Sequence, residues 1–266
     1  MEKETFRREV KYRLAFLERA LPYWASYISV IILLIIWELL VRMGVIAGLY
    51  LPAPSSIMAA AAQMIASGEL LTNLQASLIR IAAGFFIGSA AGILTGLLTG
   101  ISRLAEVTGN PVIYSLYPVP KIALLPLFVL WLGIGELPKI TMISLGVFFP
   151  VVINTYSGVK NLDPLLIKAA VTFGAGRVSL MTKVILPGSL PVIFAGLKLA
   201  AGTSLLLLAA AEMIAAQEGI GAMILHYGDL MLTTKLMVGV VTLSLLGVVF
   251  NHLLGWVERR MIPWKQ

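Results

Sequence analysis

The chain has 266 residues, 59% of them hydrophobic and 12% charged, with a net charge of +7 and no cysteine. A soluble domain carries about twice that charged fraction, and the mean hydropathy of +0.95 leaves more apolar side chain than one globule of this size can hide, so lipid must solvate much of it. The missing cysteines exclude disulfides, thiolate metal sites and cysteine nucleophiles, and the cationic excess fits a cytoplasmic membrane face better than a nucleic-acid surface.

Residues 1–23 are polar. Lys3, Arg7, Arg8, Lys11, Arg13 and Arg19 stand among four glutamates, while Phe6, Val10, Leu14 and Leu17 recur at helical spacing. The stretch reads equally as an amphipathic surface helix or as a solvated tail. A first span is predicted over Ser26–Val41. It is too long and begins too late for the apolar core of a cleavable leader. Leu51-Pro52-Ala53-Pro54-Ser55 is a turn-forming run, after which Ser55 or Ser56 is expected to cap a short alanine-rich helix ending near Ser67-Gly68. A second span, Ser77–Gly100, carries Gly84, Gly88, Gly92, Gly96 and Gly100 at every fourth position. That places a glycine stripe on one face, where another helix can approach closely. A short loop with Arg103 and Glu106 follows.

A third span, Val112–Leu132, contains Pro118, Pro120 and Pro126 and should break or bend, which lipid tolerates only where protein or a wet cavity covers the freed carbonyls. Gly133-Ile134-Gly135-Glu136 turns into a fourth span, Pro138–Gly158. The charged stretch Lys160–Pro191 separates it from a fifth, Pro191–Ala215, and a sixth follows over Leu236–Trp256. Six spans put both termini on one side with the Arg103 loop and the Lys160–Pro191 stretch. Fourteen Lys and Arg then lie on that side against three, Arg42, Lys139 and Lys235, on the other. This bias assigns the first side to the cytoplasm.

Within Lys160–Pro191, Asp163 is a good N-cap, Pro164 suits the first helical position and Gly174 can end the helix. A second short helix is expected over Arg177–Ile185, stopped by Leu186-Pro187-Gly188. The run Lys168-Ala169-Ala170, three residues, Gly174, nine residues, then Val184-Ile185-Leu186-Pro187 resembles the EAA loop of binding-protein-dependent ABC importers. Leu51-Pro52-Ala53-Pro54-Ser55, Ala123-Leu124-Leu125-Pro126-Leu127, Gly133-Ile134-Gly135, Phe148-Phe149-Pro150, Asn154-Thr155-Tyr156 and Gly219-Ile220-Gly221 extend the resemblance, in order, to the nitrate/sulfonate/taurine-type permeases.

That resemblance implies an all-α integral membrane protein of about six transmembrane helices with the type I ABC importer permease (MetI-like) architecture. It implies a cytoplasmic N-terminal segment at 1–25, a first span with extracytoplasmic loop and short helix at 26–70, a transmembrane type-1 domain at 71–256 and a cytoplasmic tail at 257–266. The loop at 160–191 would be the coupling element that sits on an ATPase subunit, with Asp163, Lys168, Ala169, Ala170, Gly174, Val184, Leu186 and Pro187 as its marked residues. The implied partners are a dimer of ATPase subunits, an extracytoplasmic solute-binding protein and a second copy of this chain, in the cytoplasmic membrane of a bacterium or archaeon. Lys168 departs from the family, which usually has Glu there. Either the ATPase carries an acidic group opposite, or the position faces water.

No nucleotide-binding loop of the form Gly-x-x-x-x-Gly-Lys-Ser/Thr occurs, so no cofactor is expected in this chain, and ATP with Mg belongs to the separate ATPase. His226 and His252 lack partners at metal-ligand spacing, and no nucleophile motif stands out. Ionisable residues inside spans are Glu38, Arg80, Lys121, Lys198 and Glu212. Charge in hydrocarbon costs at least a few kcal/mol and marks either paired packing or a solute path. Glu38 and Arg80 sit where they could snorkel. Lys121, Lys198, Glu212 and Arg80 are the candidates for a path that passes a small anion such as nitrate, a sulfonate or taurine, with Lys121 first. An ion-coupled secondary transporter working alone would need acidic residues at mid-span and an inverted repeat. A membrane enzyme would need a His, Asp and Glu cluster at one face. Neither pattern is evident.

Overall fold

The computed structural model describes residues 24–264, all of whose regular elements are helical. The amphipathic helix or tail expected in the first 23 residues lies outside the described residues. Helix α1 (Trp24–Arg42) occupies the expected first span. A loop leads to the short α2 (Pro54–Ala66). Neither Ser55 nor Ser56 caps α2 through its side chain. The N-cap is Ala53, and the free N–H of Ser55 donates to the Glu38 carboxylate of α1 at 3.0 Å, while Ser55 Oγ donates to it at 2.6 Å. A carboxylate is the better acceptor for an open helix start, so Glu38, held also by Arg42 at 2.6 Å, joins two helices instead of snorkelling.

Helix α3 (Glu69–Ile101) starts at Glu69 rather than Ser77, because Gly68 in the left-handed region (φ +81°) turns the chain straight from α2 into α3. Helix α4 (Arg103–Leu116) follows at once, so Arg103 and Glu106 lie in its first turn and not in a loop. The proline-rich span is broken as expected. After Tyr117-Pro118-Val119-Pro120 the chain makes a 3-10 turn, Lys121–Leu124, and then α5 (Leu125–Leu132), bent 89° from α4. Helix α6 (Glu136–Lys160) is the fourth span. The short α7 (Pro164–Thr172) is next, then α8 (Arg177–Leu180).

The expected stop at Leu186-Pro187-Gly188 does not occur. A π turn, Met181–Ile185, carries α8 into α9 (Leu186–Ala215), so the helix runs unbroken over Arg177–Ala215. Pro187 has no N–H to give to an i−4 carbonyl, and a wider turn just before it absorbs that defect. The chain closes with α10 (Ile220–Asp229) and α11 (Thr233–Met261). Among the described residues four helices are long and apolar enough to cross a membrane, or five with the bent α4–α5 pair as one span; this count does not include α1.

Helices α3, α6 and α9 pack side by side as the centre. Their core joins Ile81, Ile143, Val147, Val151, Ile193, Phe194 and Ala200. The glycine stripe makes the first of these contacts. A Cβ on Gly88 would stand 2.4 Å from the Ser144 carbonyl oxygen, and one on Gly92 would stand 2.9 Å from that of Phe148. Backbone meets backbone there, which only glycine permits. A second core, from Ile57, Met64, Leu70, Ile220, Met223 and Val238, seats α2, α10 and α11 against the start of α3.

Candidate functional site

Half-way along the central helices, the break between α4 and α5 opens a cavity of about 440 Å³. Tyr117, Pro120 and Lys121 line one side, Gly146 and Pro150 of α6 and Thr203 and Leu207 of α9 the others. The prolines create the wall. They prevent a continuous helix from filling the space, and the 3-10 turn directs Lys121 back along α4. Lys121 Nζ donates to the Tyr117 carbonyl and lies 5.0 Å and 4.8 Å from the Tyr117 and Phe149 ring centroids. A primary amine over two aromatic faces in a largely apolar hollow is a cation held without a counter-anion among the described residues. Its remaining N–H groups keep their donor capacity toward the cavity.

The other three path candidates stand elsewhere. Arg80 and Glu212 form one buried network at the opposite end of the spans from α7. Arg80 Nη1 meets Glu212 Oε1 at 2.8 Å, and its Nε and Nη2 clasp Glu136 at 2.5 and 2.9 Å. Lys139 Nζ completes the set on Glu136 at 2.8 Å. The Glu212 carboxylate also accepts from Ser77 Oγ at 2.8 Å and from the Gly221 N–H at 2.8 Å. Arg80 is 4% and Glu212 0% exposed, so Arg80 does not snorkel. Two acids and two bases cancel, and every Glu212 oxygen has a donor, the condition under which buried charge is tolerated. Lys198 pairs with Glu258 of α11 at 2.5 Å and ties α9 to α11. Of the four candidates, Lys121 alone lines the cavity.

Sequence reasoning missed Glu136 and Lys139. Glu136 belonged to a turn and Lys139 to the outer charge count, and nothing local signals a partner 56 residues away. It also missed Glu106, which accepts from Tyr156 Oη and Lys160 Nζ, each at 2.7 Å. Near the network, Tyr227 of α10 donates to Glu69; burial, and then that carboxylate, push its hydroxyl up to about 12, so it stays a neutral donor.

The connection after α6 has a distinct surface. Asp163 Oδ1 accepts the Leu165 N–H at 2.8 Å and caps α7, and Gly174 at φ +80° ends it. No residue of α7 is buried. Leu165, Leu166, Val171 and Phe173 all stand exposed, Phe173 at 90%. Lys168, Ala169 and Gly174 are exposed with them, while Val184 and Leu186 pack inward at half burial and Pro187 lies in the continuous helix. Leu162 holds the connection to the body by lying on Gly188, whose Cβ would stand 2.5 Å from it.

Residues 88–263 match the family model described as binding-protein-dependent transport system inner membrane component. The protein named as the aliphatic sulfonates transport permease SsuC of Bacillus subtilis (strain 168) is 35% identical over 234 residues, covering 88% of this chain and 85% of its own. The taurine transport system permease TauC of Escherichia coli (strain K12) is 34% identical over 238 residues, covering 88% and 86%. Among solved structures, a chain of the MetNI methionine ABC transporter in an inward-facing conformation superposes with TM-score 0.60 at 20% identity, covering 70% of this chain and 93% of that one. The chain belongs to the inner-membrane components of binding-protein-dependent transport systems, within the nitrate/sulfonate/taurine-type ABC permeases.

Proposed function

We propose that this permease is the translocation subunit of an ATP-driven importer of small sulfonate-type anions, working by alternating access. The observation that carries the reading is α7. A short helix capped at both ends, with no buried residue and with apolar side chains turned outward, costs free energy unless another protein covers it. An ATPase subunit is that partner. The chain contains no nucleotide-binding loop, so ATP and Mg are bound by the partner's residues.

The complete machine in this reading has two copies of the permease, two ATPase subunits and an extracytoplasmic binding protein that delivers solute. Both termini and α7 face the cytoplasm. Closure of the ATPases displaces α7, and the spans switch between outward and inward access. The solute passes the cavity by Lys121, whose ammonium attracts a sulfonate while the apolar walls accept its carbon chain. The sulfonate and taurine specificities of the relatives support this class. The permease itself performs no covalent chemistry.

Coexpression with the ATPase chain tests the reading. The two are expected to co-purify, and Phe173→Asp is expected to release the ATPase while the permease keeps its melting temperature in detergent. Retained binding by that variant, or solute uptake driven by an ion gradient without any ATPase, would sink it.

A further inference from the structure

Movement at α7 needs a route to the cavity, and the contacts of α4 supply one. Such a route presupposes the coupling role of α7 proposed above. Helix α4 is loosely held, with Ile113 as its one buried residue. At the cavity end Ile113 packs on Phe149 and Val152 of α6, and the Tyr117 ring lies 6.2 Å from that of Phe149. At the other end α4 continues from α3 through Ser102 and packs back on it, Gly109 against Thr99, and in the first turn one carboxylate ties it to α6. Glu106 Oε1 accepts from Tyr156 Oη at 2.7 Å, and Oε2 accepts from Lys160 Nζ at 2.7 Å.

Lys160 is the last residue of α6, and Asp163, three residues on, is the cap of α7. The carboxylate therefore grips α6 where the displaced helix is attached. From Glu106 to Leu116 the helix runs for about 15 Å and ends at the Tyr117-Pro118-Val119-Pro120 break that walls the cavity. We infer that Glu106, with Tyr156 and Lys160, is a positioning group of the transport cycle: it fastens the start of α4 to the end of α6, so that displacement of α7 is delivered through α4 to the cavity wall beside Lys121.

The pair is partly open to solvent, Lys160 39% and Glu106 27% exposed along their side chains. An open ion pair contributes little stability, so removing it separates coupling from folding. The chain lacks cysteine, so one introduced at Val119 reports on the cavity wall without any knowledge of the solute. The experiment uses the assembled permease–ATPase complex in liposomes and follows alkylation of V119C by a maleimide, before and after trapping with ATP and orthovanadate.

With the native tie, trapping is expected to change the alkylation rate about fivefold or more, the lower range of allosteric coupling. In Glu106→Ala the change is expected to disappear while ATP hydrolysis persists. The charge exchange E106K/K160E, which rebuilds an ion pair between α4 and α6, is expected to restore it. A Glu106→Ala complex that responds like the parent overturns the inference alone, as does failure of the exchange variant to recover. A parent complex whose cavity wall ignores ATP overturns the coupling reading and this inference together.

Discussion

Two cations within apolar helices have opposite fates. Arg80 is enclosed by Glu136, Glu212 and the Glu218 carbonyl, so its removal strands a carboxylate that is 0% exposed. Arg80→Ala should lower stability by about 3–5 kcal/mol, seen as a large fall in melting temperature in detergent. Arg80→Lys should recover little of it, because an ammonium cannot clasp two carboxylates with the planar fork of a guanidinium. Lys121 has no carboxylate partner among the described residues and lines open space. Lys121→Ala should leave the melting temperature almost unchanged and, under the function proposed above, reduce uptake of a small sulfonate by the full complex about tenfold, the loss of one charge-assisted hydrogen bond. Equal effects in the two variants would remove the distinction. Both residues are conspicuous in the sequence as charge in hydrocarbon, but their roles are not. What separates them is the presence of Glu136 beside one and of two aromatic rings beside the other; Tyr117 is a local neighbour of Lys121, but Glu136 and Phe149 arrive from a distant helix.

Among the helices, α3 is the most legible. A glycine at every fourth position has one economical explanation, a neighbouring helix at backbone distance, and α6 is found there. Gly88→Leu should force α3 from α6, because the obstacle is the Ser144 carbonyl and not a flexible side-chain end. The expected cost is about 1–3 kcal/mol or more, measured by thermal unfolding, against almost none for leucine at the exposed Ile87 next to it. Stability equal to that of the parent would mean that the stripe does not set the helix spacing. The cap of α7 is equally legible, because Asp-Pro followed ten residues later by Gly is local chemistry. The early start of α4 and the uninterrupted run from α8 to α9 are not. Ser102 caps α4 only weakly, at 3.4 Å, and Pro187 ordinarily stops a helix. The π turn that lets it continue depends on φ and ψ over five residues, which no residue type among Met181–Ile185 announces.

Across the whole molecule, the distribution of Lys and Arg gives an orientation that can be tested directly. Cysteines introduced singly at Ile134, which is 94% exposed, and at Lys168 should label from opposite sides. In intact cells an impermeant maleimide should reach the first and not the second, and in inverted vesicles the order should reverse. Labelling of both from one side would contradict the charge rule for this chain. Residue patterns brought the architecture within reach because lipid allows few solutions: a helix must satisfy its own backbone, and its length is set by the bilayer. They pointed to the proline break and to Lys121 but not to the cavity's other walls, which α6 and α9 supply.

The π turn at Met181–Ile185 has a consequence for this architecture. An α-helix advances about 100° per residue, so one residue added within a turn rotates everything beyond it by that angle. Arg177–Leu180, beside α7, and Pro191–Ala215, beside the cavity, are parts of one rod that is phased differently in its two halves. A wheel drawn through the whole rod would misassign the facing of its Arg177–Leu180 end. Were the turn to relax to regular α geometry, the end next to α7 would swing around the axis while the membrane portion kept its packing, a torsional freedom that the unbroken helix otherwise conceals.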